Sequence, residues 1–305
     1  MKLGFIGLGN LGALLAGHLV VAGQDVTVFD LDEEAVAGLA AMGARPGASV
    51  ADAATDADAL ITCLPSPAAT GAVVLGEDGA FAAMTPGSLW IEMSTLGVED
   101  IKRFAASAGE RGIAVLEAPL TGGLHRAARG EMTILTGGEK AVLGRCRPAL
   151  EIMGGQIIHM GPLGSAALVK VISNMLCLID LVAAGEALAL AKAGGLDLAK
   201  TYEAICASSG SSREFEDWAP VILNGSYNTG FTLDLGLKDL GFVAGLGEKH
   251  NIPLKLNALV KRLFEEARET HGGNAWTPHV VKMIEDETGQ SLRAAGFGDV
   301  IPKND

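Results

Sequence analysis

Residues 161–195 read GPLGSAALVKVISNMLCLIDLVAAGEALALAKAGG, and the rest of the chain is organised around them. Apolar residues so outnumber polar ones here that a helix built from the run is expected to bury most of its circumference, unlike a half-exposed surface helix. Helical from 164 to 193, it is a rod roughly 45 Å long at about 1.5 Å per residue, enough to serve two domains. Lys170, Asp180, Glu186 and Lys192 leave no charge-free segment of about 18 residues, so a membrane span is not expected. Lys170 and Asn174 stand four apart and project from one face. A buried ammonium is costly unless paired or used, and lysine readily lets its pKa fall on desolvation. Two readings of Lys170 stand open: a snorkelling lysine with its head in water, or a buried amine kept for chemistry.

Working outward, 305 residues exceed what one core usually fills, so two domains are expected. The boundaries read as a dinucleotide-binding domain over 1–162, the long interdomain helix over 163–194, and a helical domain over 195–305. With 49% hydrophobic and 19% charged residues, the chain can build a large core. A net charge of −13 repels phosphate backbones and anionic lipid, which excludes nucleic acid and membrane surfaces as expected partners. Cys63, Cys146, Cys177 and Cys206 form no C-x-x-C pair, and the six histidines show no H-E-x-x-H spacing, so no metal is expected. Residues 1–10 lack the apolar core and cleavage site of a signal peptide, and a reducing cytoplasm is the expected compartment.

The N-terminal half alternates strand and helix. Apolar residues 2–6 precede Gly7, Leu8, Gly9, Asn10, Leu11 and Gly12, and a helical pattern follows at once. This is the order a dinucleotide turn needs: Gly7 permits the tight turn, Gly9 lets backbone approach a pyrophosphate, and Gly12 lets helix pack on strand. The helix N-terminus then offers unpaired N–H groups to the phosphates. A second strand over 25–29 ends at Asp30, placed to bind both adenosine ribose hydroxyls and to repel a 2′-phosphate, which favours NAD over NADP. Strands are expected over 57–63, 89–93, 114–117, 132–136 and 156–160, and helices over 33–43, 97–110 and 139–153. Alternation of this length predicts a parallel, doubly wound sheet. Leu64 and Pro65 follow the third strand at the edge where ligands bind in such sheets. Thr95 reads either as a cofactor-contacting hydroxyl or as a helix N-cap. Thr121, Gly122 and Gly123 read either as a carboxylate site, with a hydroxyl beside two exposed N–H groups, or as a plain turn.

Four separated motifs then coincide: the GLGNLG turn, the EAPLTGG loop at 117–123, the GPLGSAALVKVISN helix start, and the segment from Gly230 and Phe231 to Lys238, Asp239 and Leu240. Together they cover essentially the whole chain, which resembles the β-hydroxyacid dehydrogenase family of 3-hydroxyisobutyrate dehydrogenases and tartronate semialdehyde reductases. The resemblance implies an α/β Rossmann-type doubly wound sheet, a long interdomain helix, and an all-α C-terminal domain closing over a cleft. It implies that Lys170 is the catalytic acid and base, that Asn174 orients substrate, and that Thr121, Gly122 and Gly123 hold the substrate carboxylate. Many members carry Ser where this chain has Thr121. The resemblance also implies that Lys238 lies near substrate or nicotinamide and that Thr95, Leu64 and Pro65 border the cofactor. The chemistry agrees: oxidising an alcohol requires its proton to leave, and a desolvated lysine on a rigid helix suits that transfer.

The chain departs from the family at Leu124, His125 and Arg126, where small residues, often including glycine, are usual. Arg126 reads as a contact to a second anionic group or as a solvated loop residue. Ser211, Ser212 and Arg213 are closer to the tartronate semialdehyde reductases. Arg213 reads as a cleft arginine for a carboxylate or as an ion-pair partner of Glu216 or Asp217. The expected activity is hydride transfer between NAD and a small anionic β-hydroxyacid or its semialdehyde, in a homodimer or homotetramer. An imine reductase and a non-catalytic NAD-binding protein on the same fold are the alternatives, and in both Lys170 would be expendable. A 6-phosphogluconate-type enzyme would need a basic cluster that this chain does not show. Beyond 196 the chain reads as helical, with breaks near 208–212, 224–230, 251–253 and 271–278. The tail 293–305 carries no readable chemistry and is expected to be partly ordered at best.

Overall fold

Neighbouring residues on the N-terminal strands enter opposite cores: Phe5, Ile61, Ile91 and Leu116 one, Ile6, Leu60, Trp90 and Val115 the other. A sheet covered on both faces requires that alternation. The computed structural model describes residues 1–300. They divide into two compact units, Met1–Lys170 and a second from Val171 onward.

The first unit runs β1 (Lys2–Ile6), α1 (Gly12–Val21), β2 (Asp25–Phe29), α2 (Glu33–Met42), β3 (Arg45–Pro46), α3 (Val50–Ala54), β4 (Ala59–Thr62), α4 (Pro67–Val74), α5 (Ala80–Ala83), β5 (Leu89–Glu92), α6 (Val98–Gly109), β6 (Ala114–Glu117), β7 (Leu120–Thr121), α7 (Leu124–Ala127), β8 (Thr133–Gly137), α8 (Lys140–Met153) and β9 (Gln156–Gly161). Strand order is β3-β2-β1-β4-β5-β6-β8-β7, with β9 on β8. The sheet is parallel through β6, as the alternation predicts, but β8 runs antiparallel to β6. The connection from β6 to β8 is spent on β7, which pairs antiparallel with β8, and on one short helical turn, so it holds no helix long enough to serve as the crossover between parallel strands.

Strands β4, β5, β6 and β8 align Thr62, Glu92, Glu117 and Gly137 in one row. Glu92 and Glu117 are buried at 1% and 2% exposure, so two carboxyl groups end adjacent apolar strands inside the protein. Gly137 has no side chain for a steric reason, since a Cβ there would overlap the Glu117 carboxylate.

The long helix α9 (Ser165–Ala193) begins in the first unit and continues in the second. Leu178, Leu181, Ala184 and Leu188 join the second unit's core with α10 (Leu198–Cys206), α11 (Arg213–Leu223), α12 (Leu233–His250), α13 (Lys255–His271) and α14 (His279–Thr288). Gly185 lets α14 approach, because a Cβ there would press on the Val281 side chain. By length and composition alone α9 could cross a bilayer, yet its inward residues fill protein cores. The expected burial of most of its circumference is corrected: Leu168, Ile172, Leu176 and Leu190 are exposed. An apolar composition fixes which residues can be buried, and packing covers only one side of this helix. In the described part of the tail, residues 293–300, the Ala294 N–H donates to Leu223 O at 2.9 Å and Phe297 packs edge-on against Tyr202. Residues 301–305 lie outside the described residues.

Two glycine substitutions should separate contact from conformation. Gly137→Ala forces a methyl into the Glu117 carboxylate and should lower stability by about 1–3 kcal/mol. Gly144→Ala lies in mid-α8 with open space around it and should raise stability by about 0.5–1 kcal/mol. Thermal denaturation of the full chain measures both.

Candidate active site

At the carboxyl edge of β1 the backbone needs a positive φ, which Gly7 supplies at +97°. A side chain there would strike Cys63 O, and one at Gly12 would strike Gly7 O, so turn, β4 and α1 are packed to backbone contact. Gly9 differs: its Cβ direction is empty. Leu11 stands at the α1 N-cap with no side-chain bond, the Ala13 N–H donates to Gly9 O at 3.1 Å, and Asn10 is exposed beside the turn. Asp30 ends β2, and its carboxylate accepts the Leu8 N–H at 2.5 Å and the Asp32 N–H at 2.9 Å. Open backbone, a helix start without a side-chain cap and an acid tied to the turn fit a dinucleotide's pyrophosphate and ribose.

A buried relay shapes the neighbouring edge. Trp90 Nε1 donates to Thr62 Oγ1 at 2.8 Å, and Thr62 Oγ1 donates to Glu92 Oε2 at 2.6 Å. The Ser94 N–H donates to Glu92 Oε1 at 2.6 Å, and the Leu64 N–H donates to Ser94 Oγ at 2.7 Å. Thus Leu64, next to Pro65, is fixed through Ser94 to a buried carboxylate. Burial, with Glu92 nearby, pushes the Cys63 thiol up to about 12, which keeps it protonated. The N-cap reading of Thr95 is corrected: α6 starts at Val98 with Gly97 at its cap, and Thr95 is half-buried before it.

Thr121 closes β7, and Gly122 and Gly123 follow with φ of +133° and +76°. The methylenes of Arg126 lie over Gly122, where an added Cβ would sit 2.9 Å from Arg126 Cδ. Arg126 is half-buried with its Nε out of solvent, which corrects the solvated-loop reading. Upstream in the same segment, Glu117 accepts N–H groups from Gly164 at 2.7 Å, Ala166 at 3.0 Å and Ala167 at 3.1 Å. Burial pushes its carboxyl above the ordinary range, opposed by those three donors and by the Lys102 ammonium. On α9, Lys170 is 9% exposed and Asn174, one turn on, is 8% exposed, so the snorkelling reading of Lys170 does not hold.

The second unit holds its own polar cluster. Asp239, 2% exposed on α12, accepts from Asn174 Nδ2 at 2.6 Å and lies 3.0 Å from Lys238 Nζ. Lys238 also stands 5.3 Å from the centre of the Phe242 ring. Arg213 begins α11 exposed, and the Glu216 carboxylate suggested as its partner takes the Ser211 hydroxyl instead. Sequence reasoning passed over Glu92 and Glu117 and gave Asp239 no task. A readable signal was present in the first two, since each is the one acid in an apolar strand and its last residue.

Fold and glycine turn define a dinucleotide-dependent oxidoreductase built as a Rossmann-type unit followed by a helical one. Residues 2–161 match the model described as the NAD binding domain of 6-phosphogluconate dehydrogenase, and residues 164–284 match the NAD-binding domain of NADP-dependent 3-hydroxyisobutyrate dehydrogenase. The chain belongs to the β-hydroxyacid dehydrogenase family. It is 33% identical to 2-(hydroxymethyl)glutarate dehydrogenase of Eubacterium barkeri, over 96% of this chain and 97% of that one. It is 38% identical to the NAD-dependent L-serine dehydrogenase of Pseudomonas aeruginosa, over 86% and 91% respectively. The crystal structure of 3-hydroxyisobutyrate dehydrogenase from Salmonella typhimurium aligns with a TM-score of 0.86 at 30% identity, covering 93% of this chain and 99% of that one.

The Asp30 charge should set the choice between dinucleotides. Asp30→Asn keeps an acceptor for the turn and removes the repulsion of a 2′-phosphate. The ratio of kcat/KM with NAD to that with NADP should fall about tenfold or more. An unchanged ratio would place the discrimination elsewhere.

Proposed function

We propose that this protein oxidises a small β-hydroxyacid with NAD, or reduces the matching semialdehyde, with Lys170 as general acid and base. The observation that carries the reading is the burial of Lys170 at 9% exposure, on the helix start where the family resemblance expects a working amine. When bound, the nicotinamide supplies the two-electron chemistry at the alcohol carbon. Gly7, Gly9, Asn10, Leu11, Gly12 and Asp30 would hold the dinucleotide, with Leu64, Pro65 and Thr95 along its border. In oxidation, neutral Lys170 Nζ takes the hydroxyl proton; in reduction, the ammonium returns it to the carbonyl oxygen. The Thr121 hydroxyl and the N–H groups of Gly122 and Gly123 are assigned to the substrate carboxylate. Asn174 orients substrate, its amide held by Asp239, which also fixes Lys238.

Three names among the relatives, 3-hydroxyisobutyrate, L-serine and 2-(hydroxymethyl)glutarate, share the fragment HOCH2–CH(X)–COO⁻ and differ in X. A 2-substituted 3-hydroxypropanoate is therefore the proposed substrate class, and Arg126 and Arg213 are proposed to meet an anionic X. The exposed Leu168, Ile172 and Leu176, one turn apart on α9, support a homodimer or homotetramer, and four cysteines outside any disulfide suit a reducing cytoplasm.

Turnover of these three compounds with NAD tests the activity. Lys170→Ala should lower kcat by about 10² to 10⁴ and leave the Kd for NAD within a few-fold. Equal loss of binding and turnover would count against the assignment. Should 2-(hydroxymethyl)glutarate be preferred, Arg126→Ala or Arg213→Ala should raise its KM at least tenfold more than that of L-serine.

A further inference from the structure

A helix as long as α9 starts with N–H groups that no residue of its own can satisfy, and a side chain just before the helix usually takes them. Here the acceptor is Glu117, from a different strand: Oε1 takes Gly164 and Ala166, and Oε2 takes Ala167. The site is built tightly around this carboxylate. Gly137 leaves room for it, and Gly164, at φ +95°, has Val98 Cγ1 and Lys102 Cε both 3.0 Å from where a Cβ would be. Lys170 follows Ala166 by four residues and Ala167 by three, so it lies one turn above the bonded groups on the same side of the helix. Glu117 also lies four residues before Thr121, on the segment that becomes the Thr121-Gly122-Gly123 loop.

We infer that Glu117 is the positioning residue for Lys170, holding the first turn of α9 on the strand that leads into the carboxylate loop. The amine and the loop then belong to one rigid piece, and their separation is set by three hydrogen bonds. The inference rests on the acid–base assignment of Lys170. A helix cap alone would matter only for stability. A cap under a reacting amine matters for rate, because displacement of a reacting group by about 1 Å can cost about 100-fold. Glutamine cannot replace the carboxylate, since it offers one acceptor oxygen and turns an N–H toward the helix's own N–H groups.

The test uses the full-length Glu117→Gln protein with L-serine, 3-hydroxyisobutyrate and 2-(hydroxymethyl)glutarate as substrates and NAD as oxidant. Expected are a fall in kcat of about 10- to 100-fold, a KM for NAD within twofold of wild type, and faster amide exchange in the peptide covering 164–168. Acetylation of Lys170 by acetic anhydride, followed by peptide mass spectrometry, should also change in rate, and this readout needs no substrate. Wild-type kcat and an unaltered acetylation rate would overturn the inference, whatever the loss of thermal stability. Should Glu117→Gln fail to fold, Glu117→Asp, which keeps the charge but retracts it, is held to the same readouts. Lys170→Ala is a separate arm: if it keeps turnover, the acid–base reading falls. Exchange and acetylation then still decide whether Glu117 positions the amine.

Discussion

Two carboxylates buried side by side at the ends of β5 and β6 constrain everything around them. Burying a charge costs several kcal/mol unless donors surround it, and Glu92 and Glu117 are register partners on adjacent strands. Each has therefore recruited its own donors. Glu92 takes the Thr62 hydroxyl and the Ser94 N–H, and Glu117 takes three N–H groups at the start of α9. The donors come from the end of β4, the residues just after β5 and the start of α9, so satisfying two acids ties these segments together at the edge of the sheet where ligands bind in such folds.

The same logic recurs in the second unit, where Asp239 is buried and holds both Asn174 and Lys238. Leaving one partner of such a cluster unpaired is costly, so the three residues act as a unit and not as independent contributors. By contrast the glycine turn after β1 is fixed by steric exclusion. In the Cβ direction Gly7 meets the Cys63 backbone and Gly12 meets the Gly7 backbone, while Gly9 faces open space. The pattern G-x-G-x-x-G thus contains two different demands, close packing at its ends and access at its middle.

Much of this could be read from residues alone. The β1 turn and the acid after β2 are local patterns, and so are the breaks between the C-terminal helices, as at residues 251–253 between α12 and α13. What escaped depends on contacts distant in sequence. The reversed direction of β8 goes with a connection that forms β7 and one helical turn in place of a crossover helix, and the strand that β8 pairs with is not visible in the sequence. The burial expected around α9 failed because composition cannot say which face meets protein. Thr95 looked like a cap because the strand ends just before it, yet Gly97 starts the helix. Glu92 and Glu117 were hidden by a rule that is usually sound, that acids belong outside. Their donors lie as much as 50 residues away, beyond any local reading.

The central helix changes its means of attachment along its length. Its first turn is held by polar bonds from Glu117, and its middle is held by Leu178, Leu181, Ala184 and Leu188 in a hydrocarbon core. Hydrogen bonds fix position sharply because their energy falls steeply with angle and distance, whereas apolar packing is non-directional. Lys170 lies next to the sharply fixed end. A proton-transferring amine needs placement within a few tenths of an ångström, and directional bonds can supply it. Asn174, one turn further along, receives the same kind of constraint separately from Asp239. Of the two residues that the proposed chemistry most needs to place, Asn174 is hydrogen-bonded to a buried carboxylate and Lys170 is buried one turn after the N–H groups that Glu117 holds, in a helix whose middle is held by hydrocarbon.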